Sequence, residues 1–170
     1  VNFCTTHQTA FADIEVEYTT EMGKMYYMHF PLLPLEGVVD EKDYILIATT
    51  RPETMLGDVA VAVHPDDRRF KHLVGRTVQI PLADRQVPVI ADPMVDPEFG
   101  TGAVKITAAH DPNDFDVAKK HNLPLLSVIT EEGKIGHDAP RTYHNLTVED
   151  ARAKAIENVK ELGLLEKIED

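Results

Sequence analysis

Gly100-Thr101-Gly102-Ala103-Val104-Lys105-Ile106-Thr107-Ala108-Ala109-His110-Asp111-Pro112-Asn113-Asp114 reads as a glycine turn, a strand, a corner and the start of a helix. The two glycines permit close backbone approach. In the strand, Lys105 and Thr107 share one face and Ile106 points to the other. Asp114 follows Asp111 by three residues, one helical turn on. A lysine, a threonine, a histidine and two carboxylates can therefore meet at one strand-to-helix corner. A local explanation stands beside this: Asp111 caps the helix, and Asp114 favours its positive start.

A second segment puts polar residues where a core strand should simply end. The apolar run Tyr44-Ile45-Leu46-Ile47-Ala48-Thr49 is suited to a central strand, and Thr50-Arg51-Pro52-Glu53-Thr54 follows it. Pro52 stops pairing and biases Arg51 towards an extended conformation. Backbone N–H groups and the hydroxyls of Thr49, Thr50 and Thr54 are then free to face a ligand. An ordinary turn whose hydroxyls cap the next segment is the competing explanation.

Around these segments the chain carries many short β-rich runs. Asp13–Tyr18 alternates polar and apolar residues, and Met25–Phe30 is its expected hairpin partner. Further strands are expected at Val59–Val63, Thr77–Ile80, Val87–Ile90, Ala103–Thr107 and Leu125–Ile129. Helices are fewer: one over about Asn113–His121, and one over Val148–Leu162 capped by Thr147 and ended by Gly163. Val148, Ala151, Ala155, Val159 and Leu162 form the expected buried stripe of the second helix. The expected fold is mixed α/β, one domain over residues 1–170, centred on a β-barrel that removes strand edges.

Composition narrows the chemistry. With 170 residues, 43% hydrophobic and 27% charged, the chain can build one sizeable core. A formal charge of −12 argues against an autonomous nucleic-acid binder, since such affinity comes mainly from Lys and Arg on phosphates. RNA, if bound, is gripped at a short end. No apolar run approaches the ~20 residues that cross a bilayer. One cysteine, Cys4, excludes an internal disulfide and fits a reducing compartment, the cytoplasm. Cys4 and His7 have metal-ligand spacing but lack the second pair that a structural zinc site needs. His110, Asp111, Asp114 and His121 are conceivable metal ligands, but Lys105 beside them would repel a cation. No metal and no cofactor is expected. The chain has no initiator methionine and reads as a piece of a larger protein.

These segments resemble a known family. Ala48 to Pro65, with Thr-Thr-Arg-Pro-Glu-Thr at its head, is similar to the threonine-rich segment of class I aminoacyl-tRNA synthetase editing domains of the valyl type. Gly100 to Phe115 resembles their second motif, and the similarity runs from about Val1 to Leu165. Isoleucyl and leucyl editing domains differ at the first motif, where Glu53 and Met55-Leu56-Gly57-Asp58 favour the valyl type. Ala108 stands where the family usually has proline. The ATP-binding signatures His-x-Gly-His and Lys-Met-Ser-Lys-Ser are absent, so this piece is not expected to activate amino acids.

The resemblance implies hydrolysis of threonine from the 3′ end of valine tRNA, with the parent synthetase's other domains as partners. It implies that Asp114 holds the substrate ammonium, and that Lys105, Thr107 and Asp111 contact the threonine moiety and orient water. Thr49, Thr50 and Arg51 would bind the terminal adenosine and the ester, with Phe99 as a wall and Glu53 and His110 nearby. An isoleucyl-type editing domain, a module that only docks the tRNA end, and a metal-dependent esterase remain alternatives.

Overall fold

The computed structural model describes residues 2–35 and 43–170; Val1, where the family resemblance begins, lies outside them. In chain order the strands are β1 (Asn2–Cys4), β2 (Thr9–Phe11), β3 (Met25–Pro31), β4 (Tyr44–Thr49), β5 (Ala60–Val63), β6 (Thr77–Gln79), β7 (Gln86–Ala91), β8 (Ala103–Ile106) and β9 (Leu165–Glu169). The α-helices are α1 (Pro112–Lys120) and α2 (Val148–Glu161). The fold is mixed α/β, as the sequence led us to expect.

The described strands form three open sheets, not a closed barrel. β1 and β2 form a hairpin; the others are ordered β4-β3-β9 and β6-β7-β5-β8. The two larger sheets share one core, where Met28, Phe30, Ile45 and Ile47 meet Val61, Val63, Val78 and Val89. Their edges touch without forming ladders. Leu32 makes a single bridge to Val78, and the Thr101 hydroxyl donates to the Leu46 carbonyl at 2.6 Å. A side chain thus occupies a place where backbone pairing would be needed to close the barrel.

β5 is the strand covered on both sides. Val61 and Val63 face the shared core, while Ala60 and Ala62 face a second one containing Ile106, Val117 and Ala118 of β8 and α1. That explains its uninterrupted apolar run. β4, expected to be central, is instead an edge of its sheet, with Ile45 and Ile47 buried and alternate residues half-buried.

Three further expectations fail for local reasons. Asp13–Glu15 is a 3₁₀ turn, because the Glu15 carboxylate reaches back to the Ala12 N–H at 2.8 Å; the chain from Val16 to Lys24 has no regular structure. Ile14 is 94% exposed, so the alternation has no core to face. β3 pairs with β4 and β9 rather than with that segment. Leu125–Ile129 forms no strand beyond the single bridge Ile129–Ile135, because the N–H groups of Val128 and Ile129 both donate to His110 Nε2. On α2 the buried stripe is Ala151, Ala155 and Val159; Leu162 caps the helix end and is 59% exposed. No helix of the described residues is long and apolar enough to cross a membrane.

Candidate active site

The strand-ending segment after β4 and the corner after β8 come together. Between them lies a cleft of about 220 Å³. Thr49, Thr50, Arg51 and Thr54 line one side, and Lys105, Thr107, His110, Asp111 and Asp114 the other. Phe99 forms a rim, and Met25, Ala48 and Val104 supply apolar floor. Of the ten residues expected at the site, only Glu53 does not line it.

Pro52–Gly57 is a fully buried 3₁₀ turn, with Pro52 at its first position and Arg51 as its N-cap residue. Proline suits that position because the amide it lacks would have no partner there anyway. The Thr49 hydroxyl accepts from the Arg51 N–H at 3.0 Å, and the Thr54 hydroxyl donates to the Arg51 carbonyl at 3.0 Å. These threonines fix the backbone of the turn and also border the cleft.

Lys105 sits in a tight polar cage. Its Nζ donates to Asp58 Oδ1 at 3.0 Å, Thr54 Oγ1 at 2.6 Å and Thr107 Oγ1 at 2.7 Å. The Thr107 hydroxyl in turn donates to Asp58 Oδ1 at 2.5 Å. Lysine has three donors, and all three are used. The Lys105 charge is paired with Asp58. Burial pushes the Asp58 carboxyl up to about 6, even against the lowering effect of Lys105 and Thr107. Its Oδ2 is buried and has no hydrogen-bond partner among the described residues.

Asp111 and Asp114 divide the labour. Asp111 caps α1, with its Oδ1 accepting from the N–H groups of Asn113 and Asp114 at 2.8 and 3.1 Å. Asp114 Oδ2 accepts from the Thr107 N–H at 2.8 Å, and no hydrogen bond among the described residues engages its Oδ1. Burial raises the Asp114 pKa. Each of these cleft carboxylates thus keeps one oxygen outside the hydrogen bonds of the described residues, Oδ2 of the exposed Asp111 and Oδ1 of the half-buried Asp114. His110 Nε2 accepts two backbone N–H bonds, from Val128 at 2.9 Å and Ile129 at 3.2 Å. Burial, followed by the charges of Arg51 and Lys105, lowers its pKa to about 4. The ring is neutral at pH 7, and Nε2 is not available as a base.

One expectation needs correction. Glu53 is wholly buried behind the cleft and bonded to Arg152 of α2. The reason is electrostatic: a buried carboxylate needs a cation, and Arg152 is beside it. His121, weighed as a metal ligand, instead bonds Asp92 Oδ2 at 2.8 Å. Burial alone would raise Asp92, but the Met94 N–H, Lys120 and His121 outweigh it and bring its pKa to about 2. Among the described residues, no three His, Cys, Asp or Glu side chains group as metal ligands. Asp58 was the residue missed. Its signal was an aspartate opening the apolar run Val59–Val63, where a buried carboxylate demands a partner.

A family model described as "Leucyl-tRNA synthetase, editing domain" matches residues 72–162, more than half of the chain, and the chain belongs to that family. Its full length is 48% identical to part of the valine--tRNA ligase of Thermotoga maritima, and 99% of it is 50% identical to part of that of Fusobacterium nucleatum. The chain spans only 19% and 18% of those relatives. In fold it is similar to the crystal structure of GlLeuRS-CP1, with a TM-score of 0.61 and 15% identity over 86% of this chain and 99% of that one. It is also similar to the LeuRS of Agrobacterium radiobacter solved in a ternary complex with tRNA and LeuAMS, with a TM-score of 0.65 and 21% identity over 86% of this chain and 20% of that one.

Proposed function

We propose that this domain hydrolyses the ester between threonine and the 3′ end of valine tRNA, as the proofreading part of a cytoplasmic valyl-tRNA synthetase. One observation carries the reading: the two motif segments enclose a polar cleft with a free carboxylate oxygen on Asp114 and an arginine, Arg51, at its edge. The similarity to valine--tRNA ligases points to the tRNA.

An apolar pocket that accepts valine rejects threonine poorly, because the two are nearly isosteric; this pair is the standard illustration of that limit. A polar pocket reverses the preference. Valine in it would leave buried hydrogen-bonding groups unpaired, at roughly 1–3 kcal/mol per group. In our assignment Asp114 receives the α-ammonium, while Thr107, Asp111 and the Lys105 cage face the threonine side chain. Thr49, Thr50 and Arg51 hold the terminal adenosine and the ester carbonyl, and Phe99 walls the pocket. Water attacks the carbonyl carbon, the carbon–oxygen bond to the ribose breaks, and the ribose oxygen takes up the proton. Donors at the Thr50–Arg51 turn offset the developing oxyanion. Since His110 Nε2 is occupied, positioning of the water carries the rate rather than a histidine base. No cofactor enters this scheme.

The test is deacylation by the full-length protein. Threonine should leave valine tRNA much faster than valine does, in the presence of chelator as well as without it. Asp114→Ala should abolish that release and leave valine attachment intact. Equal release of both amino acids, or undiminished threonine release by the variant, would overturn the proposal.

A further inference from the structure

Glu53 lies between two arginines that never touch each other in the hydrogen-bond network. On one side, Arg152 of α2 grips it with both arms of its guanidinium, Nε to Oε2 at 2.9 Å and Nη2 to Oε1 at 3.1 Å. On the other, Arg51 Nε stands 3.4 Å from Oε1, an ion pair at longer range. Arg51 instead directs Nη1 to the His110 carbonyl at 3.0 Å and faces the cleft. Glu53 is completely buried, so its charge is strongly felt by whatever cation is nearest. A two-armed arginine–carboxylate pair is the strongest local satisfaction available to it.

We infer that Arg152, which does not line the cleft, is a positioning residue: by taking up the charge of Glu53 it leaves Arg51 free to span from the threonine-rich turn to the His110 carbonyl and meet the substrate. The inference rests on the editing reading of the cleft. Without Arg152, Arg51 is the remaining cation beside Glu53. It swings inward to pair with it and leaves both the His110 carbonyl and the cleft edge. The geometry also explains why a glutamate can stand in this turn at all: α2 is docked on the Pro52–Gly57 segment, with Leu56 packed against Ala151 and Ala155.

The experiment measures binding of a non-hydrolysable threonyl-amide analogue of the terminal adenosine to the full-length protein by calorimetry. A saturating valyl-sulfamoyl adenosine blocks the synthetic site. Arg152→Ala should raise the Kd about tenfold at unchanged stoichiometry, because truncating one partner leaves a buried charge to recruit another. Adding Glu53→Gln to Arg152→Ala should restore the Kd to within about threefold of the parent, because the charge that pulls Arg51 inward is gone. A reduced stoichiometry at unchanged Kd would mean that Arg152 only supports folding, and would overturn the inference. So would an unrescued double variant, or an Arg152→Ala protein that binds like the parent. Should the unsubstituted protein fail to bind the analogue, the editing reading falls and this inference with it.

Discussion

The ammonium of Lys105 lies 3.0 Å from Asp58 Oδ1, with 8% of the lysine side chain and none of the aspartate side chain exposed. The pair links β8, on one wall of the cleft, to the residues that lead into β5. It holds the Thr54 and Thr107 hydroxyls in fixed directions. Asp58→Asn removes the anion that fixes the cage. Because burial already disfavours the charged carboxyl, urea unfolding at pH 7 should show little loss of stability, while threonine release falls steeply. Undiminished release in this variant would show that the cage is merely structural.

The same carboxyl sets an acid limb. With its pKa at about 6, Asp58 is ionised above that pH and holds the cage, and it is neutral below. The rate of threonine release should therefore fall as pH drops through about 6, to about a tenth of its plateau one unit lower. Stability runs the other way. A carboxyl raised above its unfolded value binds its proton more tightly when folded, so this group adds stability as pH falls from about 6 towards about 4. A rate profile flat down to pH 5 would detach Asp58 from the reaction.

His110 makes the opposite contribution. Its folded pKa of about 4 lies below the ordinary value of 6.5, so between those two pH values the unfolded chain takes up a proton that the folded ring refuses. Its stabilising contribution is complete above about 6.5 and is lost as pH falls towards 4. The fall in Tm between about pH 7.5 and pH 5 should be larger for the parent than for His110→Gln. Equal falls would mean that the ring is not held neutral by the Val128 loop.

Gly102 is needed for space as well as for conformation. At φ +82°, an added Cβ would stand 2.5 Å from Arg69 Nη2 and 2.8 Å from the Pro97 carbonyl. Arg69 itself bonds that carbonyl and Asp67, so it clamps the loop that presents Phe99. Gly102→Ala should lower Tm by several degrees, at about 2–4 °C per kcal/mol for a domain of this size, and should weaken threonine release. Gly163→Ala is the control: it has φ +71° but no heavy atom within 4 Å, so only backbone strain is added and the loss should be smaller.

Asp111 and Asp114 should separate cleanly. Asp111→Ala removes the α1 cap, costing about 1 kcal/mol in thermal or urea unfolding, with a modest loss of threonine release. Asp114→Ala should cost little more stability and nearly all of the release. If both variants lose activity equally at matched stability, Asp111 carries the reaction as fully as Asp114.

Much of the site was legible because its chemistry is local. A glycine turn, a strand placing Lys105 and Thr107 on one face, and a capped helix start are properties of neighbouring residues. So were the threonines around Pro52. The partner of a buried charge was not legible. The family resemblance puts Glu53 near the substrate, whereas its partner is Arg152, 99 positions on. Asp58 was likewise invisible as the counter-ion of Lys105, 47 positions away. The Val128 loop looked like a strand because nothing nearby showed that its N–H groups would be spent on His110.

The sequence alone therefore determined strands β3 to β8, where helices α1 and α2 begin, and which polar residues cluster at the corner. Those features depend on periodicity and capping over a few residues. Tertiary structure alone decided that the sheets stay open, that β4 is an edge, and which cleft charges are free and which are consumed. Each of those outcomes is a choice of partner between residues far apart in the chain, made by the requirement that buried charges and backbone groups be satisfied.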